Sequence, residues 1–270
     1  MADQLLAVIR GGGDLGTGVA LRLHRAGLRV TVLETPQPTV IRRAVAFASA
    51  VYDGSIVVEE TTARLALIDD DLDAIWRRGE IPVLVDPYAS SLARLHSDAL
   101  VDAIMAKRNL GTRLTDAPIV VALGPGFTAG VDCHAVVETN RGHNLGRVYY
   151  TGSAQADTGV PGTIGGQDAK RALRAPGDGV FHALKAIGDR VTHGETVARV
   201  GGMSVVSEID GVLRGVLHDG LMVAADIKVA DIDPRGVVEH CFTVSDKAWA
   251  VGGGVLEGAL HEKSRLGKTS

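Results

Sequence analysis

Leu5-Leu6-Ala7-Val8-Ile9-Arg10-Gly11-Gly12-Gly13-Asp14-Leu15-Gly16-Thr17-Gly18 carries an apolar run straight into a glycine cluster, and Val19 to Ala26 continues with apolar residues at helical spacing. An unbroken apolar run of this length fits a strand buried on both faces, and glycines followed by 3.6-residue periodicity fit a turn that opens a helix. Gly27 closes the helix, and Leu28-Arg29-Val30-Thr31-Val32-Leu33 forms a second β-branched run that ends in Glu34. Strand, turn, helix and strand in about 30 residues make a βαβ unit.

The spacing Gly11-x-Gly13-x-x-Gly16, with an acid 23 residues after Gly11, matches a dinucleotide-binding turn. Gly11 permits the tight turn, Gly13 lets backbone approach a pyrophosphate, and Gly16 allows close helix packing. The helix N-terminus adds amide donors and a positive dipole, and Glu34 would accept hydrogen bonds from a ribose diol. Asp14 would repel a pyrophosphate unless it caps the helix, and capping is the favoured reading because aspartate is a good N-cap. The alternative is a βαβ unit whose loop is purely structural.

Working outward, helical periodicity is expected from about Thr62 to Arg78, a strand over Ile81 to Val85, and a helix from about Asp98 to Arg108. Ile119 to Leu123 reads as a buried strand emptying into Gly124-Pro125-Gly126-Phe127, and Cys133 to Glu138 as another strand. Strands alternating with helices predict a parallel α/β sheet. Beyond about Gly166 helical periodicity stops. Gly179, Val180, Phe181, Gly188, Val191, Val197 and Val200 are matched 32 residues later by Gly211, Val212, Leu213, Gly220, Val223, Val229 and Ile232. A repeat this short cannot bury its own face, so two copies should interlock. Paired β units of this kind resemble biotinyl and lipoyl domains, but no lysine occurs between Lys185 and Lys228 to serve as a carrier. The expected class is α/β: a Rossmann-like parallel sheet domain over 1–170, a small all-β barrel-sandwich (biotinyl/lipoyl-like) domain over 171–240, and a C-terminal helix and tail over 241–270. Gly252-Gly253-Gly254 inside that helix implies close packing or a break.

Composition narrows the function classes. The 270 residues are 46% hydrophobic and 22% charged, which is ordinary for a globular chain and far from the disordered regime. A formal net charge of −4 provides no global field for nucleic acid or anionic lipid. No segment approaches the roughly 20 apolar residues of a membrane span, and Leu5 to Ile9 is too short for a signal peptide, so a cytoplasmic location is expected. Cys133 and Cys241 are too few for a disulfide framework and read as reduced thiols.

The densest polar chemistry runs from Asp132 to Arg147. Asn140, Arg141 and His143 could bind an anionic substrate or exchange protons near neutral pH, with His134 a further proton carrier. The acids and histidines here lack a recognised metal spacing, and no metal is expected. Gly124 and Gly126 fit either a loop that lays a ligand against backbone amides or a plain turn. Arg42 and Arg43 fit either an anion site for an adenosine 2′-phosphate or a solvated basic turn. Asp168, Lys170 and Arg171 read as linker charges. Arg214, Asp231, Asp233 and Arg235 read as an internal salt-bridge set.

Arg10 to Gly18, Ile41-Arg42-Arg43, Glu138 to Arg147, Leu213-Arg214-Gly215, Asp231 to Arg235 and Ser245-Asp246-Lys247 together resemble the YqeB-type family, accessory proteins of selenium-dependent molybdenum hydroxylase systems. The resemblance implies a role in maturing a molybdenum hydroxylase, with the apo-hydroxylase as partner and a nucleotide or a pterin dinucleotide (molybdenum cofactor) as the ligand of the glycine loop. It transfers no catalytic residue. Two other readings stay open: an NAD(P)-dependent oxidoreductase using Glu34 for the ribose and His134 or His143 for proton transfer, and a non-catalytic adaptor. Neither reading settles whether the chain forms a homo-oligomer.

Overall fold

A computed structural model describes residues 4–157, 166 and 169–267. They divide into two compact units, neither continuous in sequence. Unit 1 takes residues up to Pro38, Phe47–Asp157 and the chain from Val244 onward; unit 2 takes Thr39–Ala46 and the chain up to Thr243.

Unit 1 contains β1 (Leu6–Arg10), α1 (Asp14–Arg25), β2 (Arg29–Glu34), α2 (Ala50–Asp53), β3 (Ser55–Val58), β4 (Thr61–Ala66), α3 (Leu72–Arg77) and β5 (Ile81–Val85). It continues through α4 (Leu92–Leu95), β6 (Ala99–Asp102), β7 (Ile119–Leu123), β8 (Ala135–Val137) and β9 (Val148–Tyr149), and its last helix is Asp246–Leu266. Its nine strands form one sheet in the order β3-β4-β5-β2-β1-β6-β7-β8-β9. The strands from β4 to β8 pair in parallel, while β3 pairs antiparallel with β4 and β9 antiparallel with β8. Two short hairpin partners therefore close the edges.

Unit 2 contains β10 (Ala172–Arg174), β11 (Gly179–Ala183), β12 (Arg190–Val191), β13 (Thr196–Val200), β14 (Met203–Val206), β15 (Gly211–Val216), β16 (Met222–Val223) and β17 (Lys228–Asp233). The 32-residue repeat is visible in the elements: β11, β12 and β13 correspond to β15, β16 and β17. Each copy lends its short middle strand to the other, since the two sheets run β10-β17-β15-β12 and β14-β13-β11-β16. The exchange buries Phe181, Leu213 and Ile232, all under 2% exposed. Thr39–Ala46 joins this unit through Val216 N–H donating to the Ile41 carbonyl, with Gly215 too close to Ile41 for any side chain.

The expected fold class is thus corrected. In place of a Rossmann-like parallel sheet beside a biotinyl/lipoyl-like barrel-sandwich, the chain builds a mixed nine-stranded sheet with antiparallel edges, and a second unit of two four-stranded antiparallel sheets to which residues 39–46 also belong. Helices are also fewer than alternation implied. The expected Thr62 to Arg78 helix is β4 followed by α3, because Thr61, Ala63 and Ala66 turn inward as a strand and Asp71 caps α3 by accepting from Ala74 N–H. The expected Asp98 to Arg108 helix is β6, whose four residues are buried between β1 and β7 in register Ala7↔Ala99 and Ala99↔Ile119.

Asp246–Leu266 is α5, a continuous helix of 21 residues whose Ser245 hydroxyl accepts from Ala248 N–H. Its glycine triplet serves close packing. A Cβ on Gly252 would lie 2.8 Å from the Gly18 carbonyl oxygen, and one on Gly254 would fall inside contact distance of the Gly146 carbonyl. Arg22 and Arg25 of α1 place their guanidinium carbons 4.8 and 4.9 Å from the Trp249 ring centroid, a cation–π contact that fixes the two helices together. Among the described residues no helix is long and apolar enough to cross a membrane.

Candidate functional site

The carboxyl edge of the parallel strands gathers the glycine loop and most of the predicted site residues of unit 1. Gly11 adopts φ +93°, a left-handed conformation that a side chain disfavours, and a Cβ there would meet the Ala103 carbonyl oxygen at 2.9 Å. A Cβ on Gly16 would fall far inside contact distance of the Gly11 carbonyl, so the helix starts directly against the turn. Thr17 and Ala48 hold the loop from behind: Thr17 Oγ1 donates to the Gly12 carbonyl at 3.1 Å and accepts from Phe47 N–H at 2.8 Å, while Ala48 N–H donates to the same carbonyl at 2.9 Å.

Gly13, and not Asp14, is the N-cap of α1, and no side chain caps that end. The capping expected of Asp14 is therefore corrected; it is the first helical residue. The N–H groups of Gly13, Leu15 and Gly16 have no acceptor among the described residues. Unpaired N–H groups at a helix start carry a partial positive charge and attract anions.

Glu34 ends β2 beside the loop, its side chain almost wholly buried. Its carboxylate accepts from Gly12 N–H at 2.7 Å and Thr35 N–H at 2.8 Å. Burial pushes the Glu34 carboxyl up, against the downward pull of those two donors. One end of this carboxylate thus orders the glycine loop itself.

The neighbouring loops close up beside it. Gly124 and Gly126 have φ +69° and +100°, and the space a side chain would take is filled by Thr139 Oγ1 and by the Arg108 backbone respectively. Their glycines serve packing of the chain on itself. Beneath the loop Arg10 Nη1 donates to Thr112 Oγ1 at 2.6 Å and lies 3.8 Å from Asp102, which accepts from the same hydroxyl at 2.6 Å. Thr112 stands 102 residues from Arg10, so no local spacing announces this buried set.

After β8, Glu138 is fully buried and accepts from Asn140 N–H at 2.7 Å and Gln155 N–H at 2.8 Å. Asn140 is exposed, with its side-chain amide donating to Gln155 Oε1 at 2.8 Å, and Arg141 forks onto Asp246 at 2.8 and 3.0 Å. His143 is exposed on the same loop.

His134 lies at the other edge. It precedes β8, with its N–H on the Val120 carbonyl and its Nδ1 accepting from Val120 N–H at 2.9 Å, so it caps the amino end of the β7–β8 pair. The structure does not bring His134 together with the glycine loop or Glu34. Burial lowers its pKa from the ordinary 6.5. The unfolded chain therefore takes up this proton first, and the contribution of His134 to stability is lost as pH falls below 6.5. His134→Asn keeps an acceptor for Val120 N–H without titrating, and denaturant titrations at descending pH should show a shallower loss than in the natural chain. Parallel slopes in the two proteins would contradict this role.

Arg42 and Arg43 belong to unit 2 and donate to main-chain carbonyls there: Arg42 to His240 and Thr243 at 3.1 and 3.2 Å, Arg43 to Val216 at 2.8 Å. Arg171 is no linker charge, being buried 3.3 Å from Asp231; Asp168 lies outside the described residues. Arg214, Asp231, Asp233 and Arg235 do form internal ion pairs, with Arg171 and Lys228 added. Both cysteines are free and buried, and burial pushes the Cys133 thiol up to about 12, so it is no nucleophile at neutral pH.

Fold and site together define an α/β protein with an uncapped glycine loop at the carboxyl edge of its main sheet. Over 255 residues, 94% of its length, the chain is 52% identical to the Escherichia coli (strain K12) protein named "Uncharacterized protein YqeB". It spans about half the length, 47%, of that relative. No family model matches the chain. Solved structures of an aspartoacylase family protein from Mesorhizobium loti (11% identical, TM-score 0.27, 85% of each chain) and of a succinylglutamate desuccinylase from a Silicibacter species (14% identical, TM-score 0.26, 85% of each chain) are only slightly similar. Likeness at that level assigns neither fold nor activity.

Proposed function

We propose that this chain binds a nucleotide or a pterin dinucleotide at the Gly11 to Gly16 loop and serves, in the cytoplasm, as an accessory protein in maturing a molybdenum hydroxylase. The observation that carries the binding part is the start of α1, where Gly13, Leu15 and Gly16 present unpaired N–H groups beside the Glu34 carboxylate. A phosphate fits such donors, against the opposing charge of Asp14 in the same turn, and a ribose hydroxyl fits the adjacent carboxylate. The accessory part is supported by the resemblance of the chain's motifs to the YqeB-type family.

Native mass spectrometry with ADP, NAD, NADP and molybdopterin dinucleotide tests the binding. One saturable added mass is expected for at least one of them, and no addition with any of them overturns it. Co-expressing an apo-hydroxylase with and without this chain tests the accessory role. Molybdenum content of the purified hydroxylase should fall without the chain, and equal content removes that part of the reading.

A further inference from the structure

Unit 2 gathers arginines on one face of its β10-β17-β15 sheet. Gly215 has no room for a side chain against Ile41, and Val216 N–H donates to the Ile41 carbonyl at 2.9 Å, so Thr39–Ala46 lies directly on β15. That contact sets Arg42 beside Arg214: Arg42 Nη2 and Arg214 Nε donate to one oxygen, the His240 carbonyl, at 3.1 and 3.3 Å. Arg214 is itself aimed by a bulge. The register of β15 on β17 passes from Leu213↔Ile232 to Gly215↔Asp231, which leaves Arg214 as the extra residue. Asp231 and Asp233, two positions apart on β17, share a face. Arg171 reaches Asp231 from the opposite side, because the residue after it, Ala172, pairs with Asp231.

Positive charge is in excess here. Asp231 takes both Arg171 and Lys228, at 3.3 and 2.7 Å, and Asp233 takes both Arg214 and Arg235, at 3.4 and 2.6 Å. Each carboxylate is thus shared by two cations, and Arg42 adds another. Arg171 and Arg214 form a floor, 8% and 6% exposed, while Lys228 and Arg235 form a rim, 35% and 39% exposed. Arg171 Nε is buried and meets no acceptor among the described residues, and neither does Arg214 Nη2. His240 Nδ1 is likewise buried without a partner among them. A guanidinium carries five N–H donors and keeps its proton, so burying it with donors unmet costs free energy that an added oxyanion recovers. Burial, then the charge of Arg42, accordingly draws Arg214 below its ordinary value.

We propose that this face of unit 2 binds a phosphate group, held by Arg171 and Arg214 at the floor and admitted past Lys228 and Arg235 at the rim. Phosphate is favoured over a carboxylate because guanidiniums arrive from two sides of Asp231: tetrahedral oxygens serve both, and a planar carboxylate serves one fork. Asp231 and Asp233 oppose the anion by charge and space the cations around it. The site is separate from the glycine loop and does not rest on the nucleotide reading.

Hydrogen exchange of the natural chain, in sodium phosphate against sodium chloride at equal ionic strength, locates the anion. Peptides covering 208–217 and 226–235 should exchange more slowly in phosphate. Equal exchange in the two salts, or slowing confined to the peptide that contains Gly11 to Gly16, overturns the site; the second result would support the glycine loop instead. Calorimetric titration with phosphate then compares variants. Affinity should fall about tenfold in Arg214→Met and by a smaller factor in Lys228→Gln, whose rim position spares the buried floor. Arg174→Gln removes the same charge from the same unit at a residue paired with Asp226, and should bind as the natural chain does. Equal losses in Lys228→Gln and Arg174→Gln would show a response to net charge alone and overturn the site. Glycerol 3-phosphate in the same titration separates the two sources of the group: tighter binding than phosphate marks an ester as the occupant, weaker binding marks the free ion, and either supports the site.

Discussion

Gly16→Ala should lower the thermal midpoint of unit 1 by several degrees and abolish the nucleotide binding proposed for its loop. Its Cβ would be driven into the Gly11 carbonyl, with the Ala103 methyl at 3.4 Å on the other side. The obstacle is backbone, held by Gly11 N–H donating to the Leu33 carbonyl at 2.9 Å, so no side chain can swing away. Relief requires α1 to lift from the turn, which also pulls at its contact with α5. Overpacking of this kind costs on the order of 3 kcal/mol. For a unit of this size that is roughly 6–12 °C in a melting scan. Gly253→Ala is the matched control: its Cβ would meet nothing within 4 Å, and alanine in mid-helix gains about 0.5–1 kcal/mol over glycine. A Gly16→Ala protein that melts with the natural one, or a Gly253→Ala protein that melts as low as Gly16→Ala, would refute the packing account of the loop.

Asp233→Ala should destabilise unit 2 by about 3–5 kcal/mol, the usual effect of stranding a buried charge. The Asp233 side chain is wholly buried; it accepts from Arg235 N–H, Nε and Nη2 and lies 3.4 Å from Arg214 Nη1. Arg235 is exposed enough to turn to solvent, but Arg214 is 6% exposed and would keep the His240 carbonyl at 3.3 Å and the charge of Asp231 without a direct ion pair. Burial, then the charge of Arg42, already bring Arg214 down to about 10. Unit 2 contains no tryptophan or tyrosine, so hydrogen exchange at the Leu213 and Ile232 amides is the direct readout. Exchange there should speed up by roughly two to four orders of magnitude. Asp233→Ala combined with Arg214→Met should recover a large part of the loss, because the stranded charge is then gone. Additive losses in the double variant would mean that the two residues are not coupled.

How much of this could be read in the chain depends on the range of the forces involved. The β1, α1 and β2 succession follows from apolar runs and glycines within 34 residues, and the 32-residue repeat follows from matched apolar positions. Both are local or periodic signals. The segment at Ala99 to Asp102 misleads because its apolar run of three suits a helix or a strand equally; burial between β1 and β7 decides, and those partners are about 90 and 20 residues away. His134 misleads for a related reason. A histidine beside a strand reads as site chemistry, yet which edge of the sheet it occupies depends on where β8 begins, at Ala135.

The sequence by itself determined that a glycine turn follows a buried strand, that an acid ends the next strand, and that a twofold β repeat comes after them, since these are properties of spacing and polarity along the chain. Only the tertiary structure decided the antiparallel edges of the main sheet, the membership of Thr39–Ala46 in unit 2, and the packing of α1 against α5. Those depend on which distant surfaces bury one another, and Gly18 against Ala248 is the plainest case. Two small residues 230 positions apart let two helices touch.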